Sequence, residues 1–96
     1  MASADAVLVG SGINALVAAA LLAKAGWQVQ VLERNDSLGG TVQTAEITVP
    51  GFQHDVFSAW HPLFVGSAAY RELQKDLQVR GLTYLNTAVA TASLYP

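Results

Sequence analysis

The sequence predicts an α/β fold whose first strand, crossover helix and second strand open a doubly wound parallel sheet. Three observations predict it. Residues 6–9 form a short, unbroken apolar run halted by Gly10, as in a parallel strand buried on both faces. Residues 13–25 are almost wholly apolar, with Lys24 their only charge, as in a helix covered on more than one side. Residues 28–32 form a second short run with Val29 and Val31 on one face. A strand, helix and strand of these lengths make a right-handed βαβ unit.

The remaining elements follow from local chemistry. Ala15, Ala18, Ala19 and Ala23 let the helix lie close to a sheet, and Gly26 is placed to end it in the left-handed conformation. Residues 35–40 are a polar turn region. Residues 42–49 suit a strand, Pro50-Gly51 a turn, and residues 52–57 the returning strand of a hairpin. Ser67 is a helix N-cap, Tyr70, Leu73 and Leu77 follow at helical spacing, and Gly81 suits the stop. Residues 82–85 fit one more strand, and residues 86–96 carry no assignment. This divides the chain into a βαβ unit, residues 1–41, and the hairpin and helix that start an insertion, residues 42–96.

Composition narrows the function. The chain has 96 residues, 52% of them hydrophobic and only 12% charged. That is too apolar for disorder, and apolar enough for so small a domain that further protein is expected to cover it. A net charge of -2 without any basic run gives no support for nucleic acid or an anionic membrane as partner. The lack of cysteine excludes disulfides, thiolate catalysis, cysteine–zinc sites and a sulfur-linked flavin. No secretory leader is visible in MASADAVLVG, which has no positive n-region and carries Asp5. The longest apolar run, residues 15–23, is far short of the roughly 20 residues of a membrane span. A cytoplasmic location is expected, with any membrane association left to sequence outside this chain.

The glycine pattern names the chemistry. Gly10 permits a tight turn, Gly12 leaves room for a pyrophosphate against the backbone, and Ala15 takes the third position of the fingerprint. The amides of Ser11, Ile13, Asn14 and Ala15, at the turn and the helix start, would face phosphate, helped by the helix dipole. Glu33, 21 residues after Gly12, stands where an acid accepts hydrogen bonds from the adenosine ribose. The same carboxylate repels a 2′-phosphate, although Arg34 could grip one. Gly39 and Gly40 follow Glu33 by six and seven residues.

With these residues in place the chain resembles the FAD-dependent oxidoreductases of the amine oxidase and phytoene dehydrogenase type. In that group an acid, a short spacer and a double glycine follow the first βαβ unit. The wording GSGINALVAAALLAKAG…VLERNDSLGGTV…PGFQHDVFSAWHP is most similar to the phytoene dehydrogenase-related branch. Gly10, Gly12, Asn14, Ala15, Leu16, Ala18 and Ala19 match its pattern. Ser37 and Thr41 stand where the amine oxidase branch often has arginine, which favours the desaturase-like branch. The resemblance implies FAD as cofactor, with Thr41 beside the double glycine at the dinucleotide. It also implies that residues 56–61 approach the flavin ring through Ser58, Ala59 and Trp60. The family often has glycine there, where this chain has Phe57, Ser58 and Ala59. The implied activity is hydride transfer from a substrate carbon to flavin, in a dehydrogenase, desaturase or oxidase. The substrate would be a small molecule, an apolar one included.

A doubly wound sheet needs about five strands, and two or three here could join it. The expectation is that this chain is the N-terminal part of such an enzyme, or a subunit completed by a second polypeptide. Two other readings stay open: an NAD-dependent oxidoreductase or redox sensor, and a non-catalytic escort-type protein with a retained nucleotide fold. No residue is assigned as a catalytic acid or base. His54 and Asp55 are adjacent, but strand neighbours point to opposite faces. His61 suits either the flavin's vicinity or a loop carbonyl. Two histidines seven apart without a third ligand make no metal site. Trp27 and Trp60 read as packing residues, and Arg71, Glu72, Lys75 and Asp76 as the wet face of a helix. Ser11 has no G-x-S-x-G frame, which leaves hydrolase chemistry unsupported.

Overall fold

The computed structural model describes residues 3–89 and 92–96. The chain order is β1 (Ala6–Val9), α1 (Ile13–Lys24), β2 (Val29–Leu32), β3 (Thr44–Ala45), β4 (His54–Asp55), α2 (Pro62–Val65) and α3 (Ala68–Val79). The chain divides into two compact units, Met1–His61 and Pro62–Pro96. The hairpin falls in the first of these units.

In the first unit β1 and β2 pair in parallel, Ala6 opposite Val29 and Val9 opposite Leu32. The ladder is extended at both ends: Asp5 donates its amide to Gln28 O at 2.8 Å, and Gly10 donates to Leu32 O at 2.7 Å. The Asp5 carboxylate also accepts from the Gln28 amide at 2.8 Å, locking the entry register. Helix α1 ends in a Schellman motif: Trp27 donates to Leu22 O at 3.1 Å and Gly26 to Ala23 O at 3.0 Å. Gly26 takes φ +94° there, the left-handed conformation that the motif requires.

The two sheet faces differ. Ala6, Leu8, Val29 and Val31 are half-buried, on the side packed by α1. On the opposite face Val7 is 53% exposed, Val9 86% and Leu32 47%. A continuous apolar strand is the pattern of two-sided burial, but among the described residues only one side is covered. Likewise no residue of α1 is fully buried. The total accessible surface of 7959 Å² exceeds the roughly 6300 Å² that two separate compact bodies of these lengths would present.

The hairpin is much shorter than the sequence suggests. Only Thr44–Asp55 and Ala45–His54 pair, with Val56 donating to Gln43 O at 2.9 Å beyond them. Residues 41–53 are all exposed, Ile47, Val49 and Phe52 among them, so the apolar side chains of this stretch meet no covering layer among the described residues, and an isolated two-stranded ribbon gains little by lengthening.

In the second unit, α2 is a single turn absent from the sequence reading. Its signal is Pro62 at the first helical position, where a missing N–H costs nothing. Ser67 caps α3 as expected: its Oγ accepts the Tyr70 amide at 3.0 Å and donates to Phe64 O at 2.6 Å. Leu73 is the buried core residue, and Tyr70 meets Phe64 and Tyr84 edge-to-face at 5.3 and 5.7 Å. Residues 82–85 form no strand. The Leu82 amide is spent closing α3 onto Leu77 O at 3.0 Å, and Tyr84 packs on Tyr70 instead. Arg71, Glu72, Lys75 and Asp76 form an exposed face of α3, as read from the sequence.

Candidate dinucleotide site

The site is the turn that joins β1 to α1, together with what folds against it. Gly10 leaves the ladder at φ +94°, a conformation that strains a side-chain-bearing residue. Gly12 is then the extended N-cap of α1, and its carbonyl accepts the Leu16 amide at 3.0 Å. No side chain caps the helix, and no acid lies in its first turn. The amides of Ile13, Asn14 and Ala15 therefore meet no competing side-chain cap, at the positive end of the helix dipole. A Cβ placed on Gly12 would meet nothing within 4 Å. Open space in front of bare amides fits a diphosphate.

Glu33 follows directly on β2. Its Oε2 accepts from the Ser11 amide at 2.9 Å and the Ser11 hydroxyl at 2.6 Å, and its Oε1 accepts from the Asn35 amide at 2.9 Å. The Ser11 hydroxyl, followed by the Asn35 and Ser11 amides, lowers its pKa from 4.5 to about 2, against the opposing effect of burial. Glu33 is therefore an anion at any physiological pH. It can accept from ribose hydroxyls and opposes a further negative charge placed beside it.

The double glycine closes on the same turn. Gly39 donates its amide to Ser11 O at 3.1 Å and to Ser11 Oγ at 3.2 Å. At φ +109°, a Cβ on Gly39 would lie 2.7 Å from Val42 O, so glycine is required. Gly40, at φ +60°, approaches Gly12 so closely that a Cβ would lie 3.0 Å from the Gly12 Cα. The loop between Glu33 and Thr41 thus returns to the glycine turn. Gly10, Ser11, Gly12, Ile13, Asn14, Ala15, Glu33, Gly39 and Gly40 form one contiguous cluster.

Other candidates lie outside it. Arg34 and Thr41 are exposed neighbours of the cluster in sequence. Ser58 is half-buried, and Ala59 and Trp60 are exposed; among the described residues no hydrogen bond ties them to the turn. His61 Nε2 donates to Ser58 O at 3.0 Å, the loop-carbonyl arrangement. His54 Nε2 lies 2.8 Å from Thr48 Oγ1, while Asp55 accepts from Thr44 Oγ1 at 3.2 Å, so the two do not act as a pair. Trp27 and Trp60 are not packed into a core: they are 49% and 61% exposed, for want of a covering layer among the described residues. No group of three metal-ligating side chains occurs among the described residues, and no helix there is long and apolar enough to cross a membrane. Sequence reading missed Asn35, which acts through its amide. A backbone donor has no residue-type signature, and only its place two residues beyond the acid pointed to it.

Known proteins share this arrangement of sequence. The chain is 32% identical over 90 residues to one of the subunits of limonene dehydrogenase from Castellaniella defragrans, covering 94% of this chain and 16% of that one. It is 42% identical over 57 residues to carotenoid 3,4-desaturase of Haloarcula japonica, covering 59% and 11%. It is 52% identical over 52 residues to all-trans-retinol 13,14-reductase of Danio rerio, covering 54% and 8%. The aligned part therefore spans between 8% and 16% of these relatives' lengths. All three carry oxidoreductase names, and a carotenoid desaturase among them bears out the resemblance to the phytoene dehydrogenase type. Residues 8–78, which hold the glycine turn, the acid and the double glycine, match the description NAD(P)-binding Rossmann-like domain, and the chain belongs to that family.

Proposed function

We propose that this chain supplies the adenosine-diphosphate half of an FAD site in a flavin-dependent oxidoreductase. The carrying observation is the joint held by Ser11: an ionised Glu33 on one side and the double glycine on the other, both drawn to a glycine turn with open space in front of it. The resemblance to the phytoene dehydrogenase-related branch supports reading that dinucleotide site as an FAD site. Flavin would supply the hydride-accepting chemistry. Gly10, Gly12, Ile13, Asn14 and Ala15 would face the diphosphate and Glu33 the ribose, while Ser11, whose amide and hydroxyl both donate to Glu33 and so do not face phosphate as the sequence suggests, would hold that carboxylate in place. Gly39 and Gly40 would brace the turn, with Arg34 and Thr41 at its rim. Ser58, Ala59 and Trp60 would approach the ring.

Limonene, carotenoids and retinol, named in the relatives, are all isoprenoid and largely apolar. An apolar isoprenoid is accordingly the proposed substrate class, and a dehydrogenation, desaturation or reduction at carbon the reaction class. The uncovered sheet face of Val7, Val9 and Leu32 supports a covering polypeptide, either more of the same protein or a second chain. That the limonene dehydrogenase relative is named as a subunit favours neither over the other.

The test is to purify the full chain natively, with whatever protein accompanies it, and record its visible spectrum. Bands near about 370 and 450 nm are expected of bound flavin. A colourless assembly that NAD protects from heat, while FAD does not, would replace the flavin reading with the NAD-dependent one.

A further inference from the structure

We propose that Ser11 is a positioning residue: its hydroxyl holds the Glu33 carboxylate against the glycine turn and so selects an adenosine ribose with a free 2′-hydroxyl over one with a 2′-phosphate. The inference rests on the dinucleotide reading of the site.

Ser11 is 0% exposed, the largest fully buried side chain among the described residues. A hydroxyl so enclosed is not presented to a ligand, and it must find its partners inside the protein. It has both. The Gly39 amide can only donate, and reaches Ser11 Oγ at 3.2 Å; the hydroxyl proton is therefore committed to Glu33 Oε2, at 2.6 Å. That distance is typical of a hydroxyl donating to an ionised oxygen, among the stronger hydrogen bonds in proteins.

Glu33 needs such a hold. It lies just beyond the last residue of β2, half-buried, on a flexible side chain that gains rotamer freedom by swinging into water. Two backbone amides, of Ser11 and Asn35, grip it as well, but a backbone amide is available to any residue type. Among its side-chain contacts, the serine hydroxyl is what the sequence adds. Beside Glu33 stands Arg34, exposed and permanently charged. While Glu33 is held over the turn, its charge repels a 2′-phosphate. Once released, it leaves Arg34 free to attract one. Ser11 thereby decides which of two adjacent and opposite charges governs the ribose.

The experiment uses the full chain with any protein that accompanies it, titrated by calorimetry with ADP and with 2′-phospho-ADP. The wild type is expected to prefer ADP. Ser11→Ala should weaken ADP, strengthen 2′-phospho-ADP, and narrow the ratio by roughly tenfold or more, the scale of one hydrogen bond to a charged group. Glu33→Gln should narrow the ratio too, and adding Ser11→Ala to it should change little, because both act through one contact. A merely structural serine would lower both affinities together, and an unchanged ratio in Ser11→Ala overturns the proposal. Failure of the wild type to bind either nucleotide overturns the dinucleotide reading and this inference with it. Should Ser11→Ala not fold, Ser11→Gly removes the same hydroxyl without adding a methyl group: it should narrow the ratio likewise, and an unchanged ratio overturns the proposal.

Discussion

A methyl group on Gly40 would stand 3.0 Å from the Gly12 Cα, so the second residue of the double glycine is packed against the turn that faces the diphosphate space. The obstacle is backbone and cannot rotate away. Gly81 offers the contrast: it is also left-handed, at φ +93°, but a Cβ there meets nothing within 4 Å.

From this contrast, Gly81→Ala should lower stability by about 1–2 kcal/mol, the cost of a left-handed residue with a side chain, and Gly40→Ala by more than that, because it adds a clash with the Gly12 backbone. Only Gly40→Ala should also weaken ADP binding, because it displaces Gly12. Thermal melting and ADP titration of the two variants separate the effects. Equal loss of binding in both would show that Gly40 acts only through general stability.

At Gly12 the opposite pattern is expected. Its φ of −67° suits any residue, and a Cβ points into open space. Gly12→Ala should melt within a degree or two of the wild type, as surface substitutions usually do. It should nevertheless lose most of its nucleotide affinity, and Gly12→Val all of it, by filling the pyrophosphate's place. Undiminished flavin occupancy in the valine variant would remove the turn from the site.

Acid should loosen the first unit through Glu33. Its carboxyl holds a pKa of about 2 in the fold against an ordinary 4.5, so the unfolded chain binds the proton more tightly. The stabilising contribution is complete above about 4.5, declines as pH falls, and is gone once pH passes below about 2. Urea denaturation between about pH 5 and pH 2 should show a steeper acid loss for the wild type than for Glu33→Gln. Parallel curves would mean that the carboxylate contributes nothing to the fold.

Ser67→Ala should destabilise α3 by about 1 kcal/mol, through loss of the cap on the Tyr70 amide. Nucleotide affinity should not change, since the cap lies in the second unit. Far-ultraviolet circular dichroism in urea, with ADP titration alongside, checks both halves of the statement.

The βαβ unit, its helix ends and its kinship with dinucleotide-binding Rossmann-like domains were legible in the residues alone. These features rest on local rules: glycine where φ is positive at Gly10, Gly26 and Gly81, a serine cap at Ser67, and an acid at a fixed distance from the turn. Tertiary structure decided what depends on partners distant in the chain. It reduced two expected strands to the pairs Thr44–Asp55 and Ala45–His54, because no covering layer among the described residues meets Ile47, Val49 and Phe52 to reward longer pairing. It left Val7 and Val9 uncovered, because strand hydrophobicity states a need for burial without supplying the layer that meets it. It also brought Ser11, Glu33 and Gly39 into one hydrogen-bonded joint across 28 residues of chain, a meeting that no periodicity encodes, since it exists only once both strands lie side by side.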